Sequence, residues 1–161
     1  MTLRPFEIED TDSVIALIDG IYHEYGDRVH LEQAEADLKD IPAHFSPGHF
    51  MVLDEGGVFG TVAIAPAAND EKTCYLKRLY LHPECRGQGW ADTMVDWAID
   101  TARGLGAHRL QLWSDVRFER AHAFYTKRGF QHDGRVRVMN DAWAPYREYF
   151  YTMELGVAAP E

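Results

Sequence analysis

The amino-acid sequence predicts a single α+β domain with a mixed, mostly antiparallel central sheet flanked by about four helices. Short apolar runs with the two-residue period of a strand recur along the chain. Segments with helical periodicity lie between some of these runs, but strands and helices do not alternate one for one. A glycine-containing hairpin signal also lies between two apolar runs. The 161 residues, 46% of them hydrophobic, suffice for one core, and no linker or internal repeat divides them. We therefore expect one domain over residues 1–161.

The first part of the chain predicts a strand over Thr2–Phe6 and then a helix. Asp10-Thr11-Asp12 supplies helix-start signals, the apolar residues after it recur at helical spacing, and Gly26 is a stop signal. A second, shorter helix is predicted over Leu31–Leu38. Because proline disfavours helix before it, the chain is expected to break at Ile41-Pro42 and Ser46-Pro47-Gly48.

The middle of the chain predicts a β-hairpin and a third strand. Glu55-Gly56-Gly57 separates the apolar runs Phe50–Asp54 and Val58–Ala65, which is typical of a hairpin. The following strand extends from Lys72 to His82.

The apolar residues of this strand are irregularly spaced. Leu76 and Leu79 are three residues apart, whereas Leu79 and Leu81 are two apart. The apolar residues of a regular strand are two apart, so the three-residue spacing needs an explanation. It indicates either a bulge near Lys77-Arg78, which would return the leucines to one face, or one misplaced apolar residue.

The last part of the chain begins with a helix over Trp90–Arg103, expected to pack through Met94 and Trp97. Further elements follow in the order strand Arg109–Trp113, helix Phe118–Arg128 closed by Gly129, strand Gln131–Met139 and strand Arg147–Leu155.

Charge and composition restrict the class of protein. The net charge of −10 disfavours nucleic acid as a partner, because nucleic-acid affinity depends on cations that neutralise phosphates. No apolar run reaches the roughly 20 residues that cross a bilayer, and the first residues lack a signal-peptide core. Cys74 and Cys85 have no metal-site spacing and are expected to be free thiols, which suits a cytoplasmic protein. We expect no metal and no membrane partner.

The segment Arg86-Gly87-Gln88-Gly89-Trp90-Ala91 lies between a strand and a helix and predicts an anion site. Glycines let a ligand approach the backbone, and the free N–H groups of the helix start suit a pyrophosphate. A Walker loop would require Gly-Lys-Ser/Thr, which is absent. A dinucleotide fingerprint would require a third glycine where Asp92 stands.

Leu79–Ala91 resembles the acetyl-CoA segment of the GNAT superfamily of N-acetyltransferases. Arg86, Gly89 and Ala91 fill the fixed positions of its Arg/Gln-x-x-Gly-x-Gly/Ala signature. A second family element, Ala-x-x-Phe/Leu-Tyr-x-x-x-Gly-Phe, is matched by Ala121, Phe124, Tyr125, Gly129 and Phe130. The two elements occur in the expected order, and the predicted elements agree with the family over nearly the whole chain.

The resemblance implies a sheet that opens in a V between its fourth and fifth strands, with acetyl-CoA as the cosubstrate. It assigns the general acid, and a coenzyme contact, to Tyr125. The other coenzyme-binding residues that it implies are Leu79, Tyr80, Leu81, Arg86, Gly87, Gln88, Gly89, Trp90 and Ala91. Relatives often carry an asparagine at position 118, where this chain has Phe118, so the corresponding contact could fall to Ser114 or Asp115.

The general base is left open by the sequence. Many relatives carry a glutamate near the start of the motif strand, but here those positions are Thr73, Cys74 and Tyr75. The remaining candidates are a water chain, Glu24, His49, Glu71, His82 and Glu148.

The acceptor is expected to be a primary amine, with the amine of a small molecule as the first hypothesis. Segments 21–25 and 141–146 combine aromatic residues and carboxylates, which suits a cationic amine; their substrate-binding candidates are Tyr22, Glu24, Tyr25, Trp143 and Tyr146. The aromatic residues among them could equally belong to the core or an interface. The alternatives are acetylation of a protein N-terminus or lysine, and an acyl-CoA-binding sensor without turnover. The chain could be a monomer or a homodimer paired through Tyr149-Phe150-Tyr151.

Overall fold

The computed structural model describes residues 1–156, which contain seven strands and four α-helices. The strands are β1 (Thr2–Pro5), β2 (Phe50–Asp54), β3 (Val58–Ala67), β4 (Asp70–Leu81), β5 (Arg109–Asp115), β6 (Gln131–Met139) and β7 (Tyr146–Glu154). The helices are α1 (Thr11–His23), α2 (Ile41–His44), α3 (Trp90–Gly104) and α4 (Glu119–Arg128). The ladders β1–β2, β2–β3, β5–β7 and β6–β7 are antiparallel, and β4–β5 is parallel. The predicted α+β class with a mixed, mostly antiparallel sheet is confirmed.

Residue contacts divide the chain into two compact units. Unit 1 comprises Met1–Ala65 and Lys77–Ala98, and unit 2 comprises Pro66–Leu76 and the chain from Ile99 onward. The boundaries fall inside β3, β4 and α3, so each of these elements contributes residues to both units. The prediction of a single domain over residues 1–161 stays a prediction.

Unit 1 has a core formed by α1, the hairpin strands and the first turns of α3. Val14 and Ile18 of α1 are completely buried, as are Val52 of β2, Ile64 of β3 and Met94 of α3. Each aliphatic side chain of this size stabilises the fold by about 1.5–3 kcal/mol when buried. Trp97, expected to pack with Met94, is half-buried.

The segment between α1 and β2 differs from the prediction. A helix was expected over Leu31–Leu38, but only a 3-10 turn over Ala36–Lys39 is helical. The backbone N–H of His30 donates to the Glu35 carboxylate at 2.7 Å, and the Glu35 N–H donates to the His30 carbonyl. These local bonds replace a helical pattern. Pro42 lies in the first turn of α2, where its missing N–H costs no hydrogen bond.

Unit 2 is built on the second group of strands, in the order β4-β5-β7-β6. Leu110, Leu112 and Phe150 form the centre of its core. The described β4–β5 ladder pairs Thr73–Tyr75 with Arg109–Gln111, and residues 77–81 of β4 lie beyond it.

Two further observations concern the residues that the structure describes. Cys74 and Cys85 are both buried and free, which confirms the prediction of unpaired thiols. No helix within residues 1–156 has the length and apolar character needed to cross a membrane.

Candidate active site

The predicted anion loop is in unit 1, between β4 and α3. After β4, the chain makes a 3-10 turn over Pro83–Cys85, in which the His82 Nδ1 accepts a hydrogen bond from the Glu84 N–H at 3.1 Å. Gly87 and Gly89 then take φ values of 77° and 87°, a region that other residues rarely adopt. The Thr93 N–H donates to the Gly89 carbonyl at 3.1 Å, so the helical hydrogen bonding begins at Gly89.

The space in front of this loop is open. A Cβ built on Gly87 or Gly89 would have no atom within 4 Å apart from those of the adjoining residues of the chain. The first N–H groups of a helix have no partner inside the helix, and the helix dipole adds a partial positive charge there. With its glycines and its fifteen-residue helix, the loop fits a pyrophosphate group.

Arg86 and Glu24 form a bidentate ion pair. The two guanidinium nitrogens Nη1 and Nη2 donate to the two Glu24 carboxylate oxygens at 2.8 and 2.9 Å. The hydrogen bond to Glu24 raises the pKa of Arg86. The sequence assigned Arg86 to the coenzyme and Glu24 to the amine or to base catalysis. The structure brings the two side chains together.

The backbone of β4 has an unusual conformation at Arg78, where the spacing of the leucines is irregular. Arg78 has a φ of 51°, and among the described residues it alone is a non-glycine residue with positive φ. Its carbonyl accepts a hydrogen bond from the Thr61 Oγ1 at 2.7 Å. Its guanidinium donates to both Asp37 carboxylate oxygens, at 3.1 and 2.6 Å, and to the Ala34 carbonyl at 3.1 Å. Both ends of the residue are therefore anchored.

A polar cluster adjoins Arg78 within unit 1. The hydroxyl oxygens of Tyr22 and Tyr80 are 2.9 Å apart, and the Glu35 carboxylate acts electrostatically on both tyrosines. Glu35 is only 4% exposed, and burial raises the pKa of its carboxyl group. Burial likewise raises the pKa values of Tyr22 and Tyr80. Sequence reasoning missed Glu35 because it is one glutamate in a polar segment, and no local pattern indicates its burial.

In unit 2, Tyr125 is on α4 and is 6% exposed. Its ring contacts those of Phe124, Phe130 and Tyr151, with centroids 5.5 to 5.7 Å apart. The helix ends one turn later at Gly129, whose φ of 98° and two N–H bonds to preceding carbonyls form a left-handed cap. The side chain of the predicted acid is therefore packed among three aromatic rings.

The predicted substitutes for the missing asparagine also lie in unit 2. Ser114 is buried, and its Oγ is 3.2 Å from the Nε2 of His122. Asp115 is buried and receives two hydrogen bonds from the Arg117 guanidinium, at 3.0 and 2.7 Å. Phe118 is the residue that precedes α4. The coenzyme role of Ser114 remains a prediction.

The predicted substrate wall has residues in both units. In unit 1, Tyr22 is buried and Tyr25 is half-buried. In unit 2, Trp143 is 77% exposed, and the Tyr146 hydroxyl donates to Asp141 at 2.8 Å. An exposed tryptophan does not belong to the core of its unit, so the interior alternative is wrong for Trp143.

The other candidate bases have different environments. In unit 1, His49 is half-buried, and its Nδ1 is buried without a hydrogen-bond partner, whereas the His82 Nδ1 is engaged by the Glu84 N–H. In unit 2, Glu71 is exposed, and the Glu148 carboxylate pairs with Arg137 at 2.7 Å. Burial raises the pKa of Glu148. Within residues 1–156 no group of three or more His, Cys, Asp or Glu side chains is arranged to hold a metal ion.

Comparison with known proteins agrees with this geometry. The acetyltransferase (GNAT) family matches residues 14–130. The uncharacterized N-acetyltransferase YjgM of Escherichia coli strain K12 is 31% identical over 136 residues, which cover 81% of each chain. The aminoalkylphosphonate N-acetyltransferase of Salmonella typhimurium is 28% identical over 133 residues, covering 80% of this chain and 84% of that protein.

Solved structures share the fold. A GNAT-family acetyltransferase from Staphylococcus aureus Mu50 superposes with a TM-score of 0.79 at 17% identity, over 96% of this chain and 99% of that chain. The structure of yncA from Salmonella typhimurium, determined with its cofactor acetyl-CoA, gives a TM-score of 0.70 at 18% identity, over 100% and 98% of the two chains.

Proposed function

Because the chain belongs to the GNAT family of acetyltransferases, and is an acetyl-CoA-dependent N-acetyltransferase, we propose that it acetylates the primary amine of a small molecule. The amine attacks the thioester directly while both substrates are bound, and no acyl-enzyme forms. The observation that carries the proposal is the glycine-containing loop at the start of α3, with open space in front of both glycines.

The coenzyme would be held by unit 1 through backbone groups. The N–H groups of Gly87–Ala91 would bind the pyrophosphate, and Arg86 and Gln88 would add side-chain donors. Leu79 and Leu81 would hydrogen-bond the pantetheine as a neighbouring strand does, since residues 77–81 lie beyond the described β4–β5 ladder. Tyr80 and Trp90 flank these donors.

The proton transfers differ in importance. An alkylamine with a pKa of about 10.4 must lose a proton before attack, which costs about 4–5 kcal/mol at pH 7. The leaving thiol has a pKa of about 8.5, so protonating its thiolate at pH 7 contributes only about 2 kcal/mol. Base catalysis therefore matters more than acid catalysis, and Tyr125 would supply the smaller effect as general acid.

The acceptor is proposed from two observations. One relative is named for an aminoalkylphosphonate, which is a small primary amine with an anionic group. The chain itself has a net charge of −10, which favours the approach of cationic amines and opposes that of an anionic phosphonate group, so alkylamines without an anionic group are the better match to its charge. Trp143 and Tyr146, both in unit 2, are the proposed contacts for the body of the amine.

The proposal is tested by measuring free thiol release from acetyl-CoA with a panel of acceptors. The panel contains aminoalkylphosphonates, alkyl and aryl amines, and peptides with free N-termini or lysines. We expect turnover with small amines and little with peptides. Turnover confined to peptides would establish the protein-acetylating alternative. Acetyl-CoA binding without thiol release from any acceptor would establish the sensor alternative.

A further inference from the structure

We propose that Thr61 is a positioning residue for the coenzyme. Its hydroxyl group fixes the peptide group that joins Arg78 to Leu79, and this aims the Leu79 N–H at the pantetheine. The inference rests on the proposed acetyl transfer, in which the backbone of Leu79 binds the pantetheine arm. All three residues are in unit 1, so the arrangement lies within one compact unit.

Thr61 is a polar residue in a buried, otherwise apolar part of β3. Residues 60–64 are all buried, and Thr61 is completely so. Burying a hydroxyl group without a hydrogen-bond partner costs free energy, so such groups are normally bonded. The Thr61 Oγ1 donates to the Arg78 carbonyl oxygen at 2.7 Å, the usual distance for a hydroxyl donor. The hydroxyl group therefore acts on the backbone of β4.

The direction of the Leu79 N–H follows from this hydrogen bond. The peptide bond between Arg78 and Leu79 is trans, and a trans peptide group directs its N–H opposite to its C=O. Because the Arg78 carbonyl points toward Thr61 in β3, the Leu79 N–H points away from β3. The Thr61 hydroxyl thus sets the direction of a donor that it does not contact.

The end of β4 gives the same direction independently. The His82 N–H donates to the Phe59 carbonyl of β3 at 2.8 Å, so the backbone groups of His82 face β3. Successive residues of a strand direct their backbone groups to opposite sides. The backbone groups of Leu81 and Leu79 therefore face away from β3, as binding of an extended pantetheine requires. Neither leucine is fully buried, so a ligand can reach them.

The side chain of Arg78 holds the same peptide group from the other end of the residue. Its guanidinium donates to both Asp37 carboxylate oxygens, at 3.1 and 2.6 Å, and to the Ala34 carbonyl at 3.1 Å. The φ of 51° at Arg78 is costly for a non-glycine residue and persists only where contacts hold it. A donor that is fixed before the ligand arrives loses little freedom on binding, which raises affinity.

The test compares the binding of two ligands by calorimetry. One is acetyl-CoA, and the other is the phosphoadenosine diphosphate half of the coenzyme, which keeps the pyrophosphate and lacks the pantetheine. Thr61→Val keeps the shape of the side chain and removes the hydroxyl group. It should weaken acetyl-CoA binding by about three- to tenfold, the factor for one hydrogen bond of ordinary strength, and leave binding of the nucleotide half unchanged.

Two variants are controls. Thr61→Ser keeps the hydroxyl group and should bind acetyl-CoA as the wild type does. Thr11→Val, at the start of α1 in unit 1, removes a bond of the same kind and length, in which the Thr11 Oγ1 donates to the Ile8 carbonyl at 2.7 Å. This variant should bind both ligands normally. Urea unfolding of each variant verifies that the protein is folded under the conditions of the binding assay.

A second measurement observes the Leu79 N–H directly. In amide spectra of isotopically labelled wild type, acetyl-CoA should shift the Leu79 signal and slow its exchange with solvent. The nucleotide half should do neither, because it lacks the pantetheine. In Thr61→Val the protection of Leu79 by acetyl-CoA should be smaller than in the wild type.

The outcomes separate this inference from the proposed acetyl transfer. A folded Thr61→Val variant that binds acetyl-CoA as the wild type does would overturn the positioning role. Equal losses for both ligands would also overturn it, because they would reflect damage to the whole binding region. So would a Thr61→Ser variant that binds as weakly as Thr61→Val. A wild type that binds acetyl-CoA but releases no thiol with any acceptor would overturn the acetyl transfer alone.

Discussion

Replacing Arg78 separates the backbone strain of β4 from the ion pair that holds it. Arg78 combines a φ of 51° with a guanidinium bonded to Asp37 and Ala34. Arg78→Ala keeps the strain and removes the pair, whereas Arg78→Gly removes both. Comparing the two variants isolates the strain.

The magnitudes follow from the geometry. Removing one partner of a fully buried pair costs about 3–5 kcal/mol. The side chains of Arg78 and Asp37 are 15% and 18% exposed, so we expect a loss nearer 2–3 kcal/mol for Arg78→Ala, slightly below the range for full burial. Left-handed backbone costs a non-glycine residue about 1–2 kcal/mol, and the flexibility of glycine in the unfolded state costs about 0.5–1 kcal/mol. Arg78→Gly should therefore be about 0.5–1 kcal/mol more stable than Arg78→Ala.

The assay is urea unfolding of both variants, with thermal unfolding as a second measurement. For a chain of this length, 1 kcal/mol corresponds to about 2–4 °C in Tm. A double-mutant cycle with Asp37→Asn isolates the energy of the pair. If the free energy of unfolding of Arg78→Ala is within about 0.5 kcal/mol of the wild-type value, the substitution has no larger effect than an ordinary surface change. The ion pair would then not anchor β4. If Arg78→Gly is the less stable variant, the backbone at this position is not strained.

Three further predictions concern the coenzyme and the acid. Gly89→Val should strongly weaken the binding of acetyl-CoA, measured by calorimetry. The control is Gly56→Val in the β2–β3 turn, where the glycine has a similar φ and similar open space but no predicted ligand, and this variant should bind normally. If the two variants bind acetyl-CoA with equal affinity, the phosphate site lies elsewhere. Glu24→Gln releases Arg86 from its partly exposed ion pair, which is worth up to about 1 kcal/mol, and should therefore tighten acetyl-CoA binding by about two- to fivefold. Weaker binding by this variant would mean that the ion pair positions Arg86 for the coenzyme. Tyr125→Phe should lower turnover by about 10²-fold with coenzyme affinity little changed, and the deficit should shrink at higher pH. Wild-type turnover in this variant would remove Tyr125 from the acid role.

Much of the fold was predictable because its strands and turns depend on residues that are close together in the sequence. The bounds predicted for β2 and β6 agree with the structure, and the hairpin at Glu55-Gly56-Gly57 is present. The irregular spacing of leucines in β4 predicted a bulge near Lys77-Arg78 or one misplaced apolar residue; the structure has a positive φ at Arg78, and the bulge stays a prediction. The helix predicted over Leu31–Leu38 failed because His30 and Glu35 bond each other, which no periodicity indicates.

The sequence by itself determined the family and the glycine-containing loop at the start of α3. Both depend on residues that are close in the chain, where fixed spacing places glycines and helix N–H groups together. Only the tertiary structure decided that Arg86 pairs with Glu24, that Arg78 pairs with Asp37, and that the hydroxyl groups of Tyr22 and Tyr80 meet. In each case the partners lie on separate elements, and their contact depends on how those elements pack. Burial, which raises the pKa of Glu35, is likewise a property of that packing.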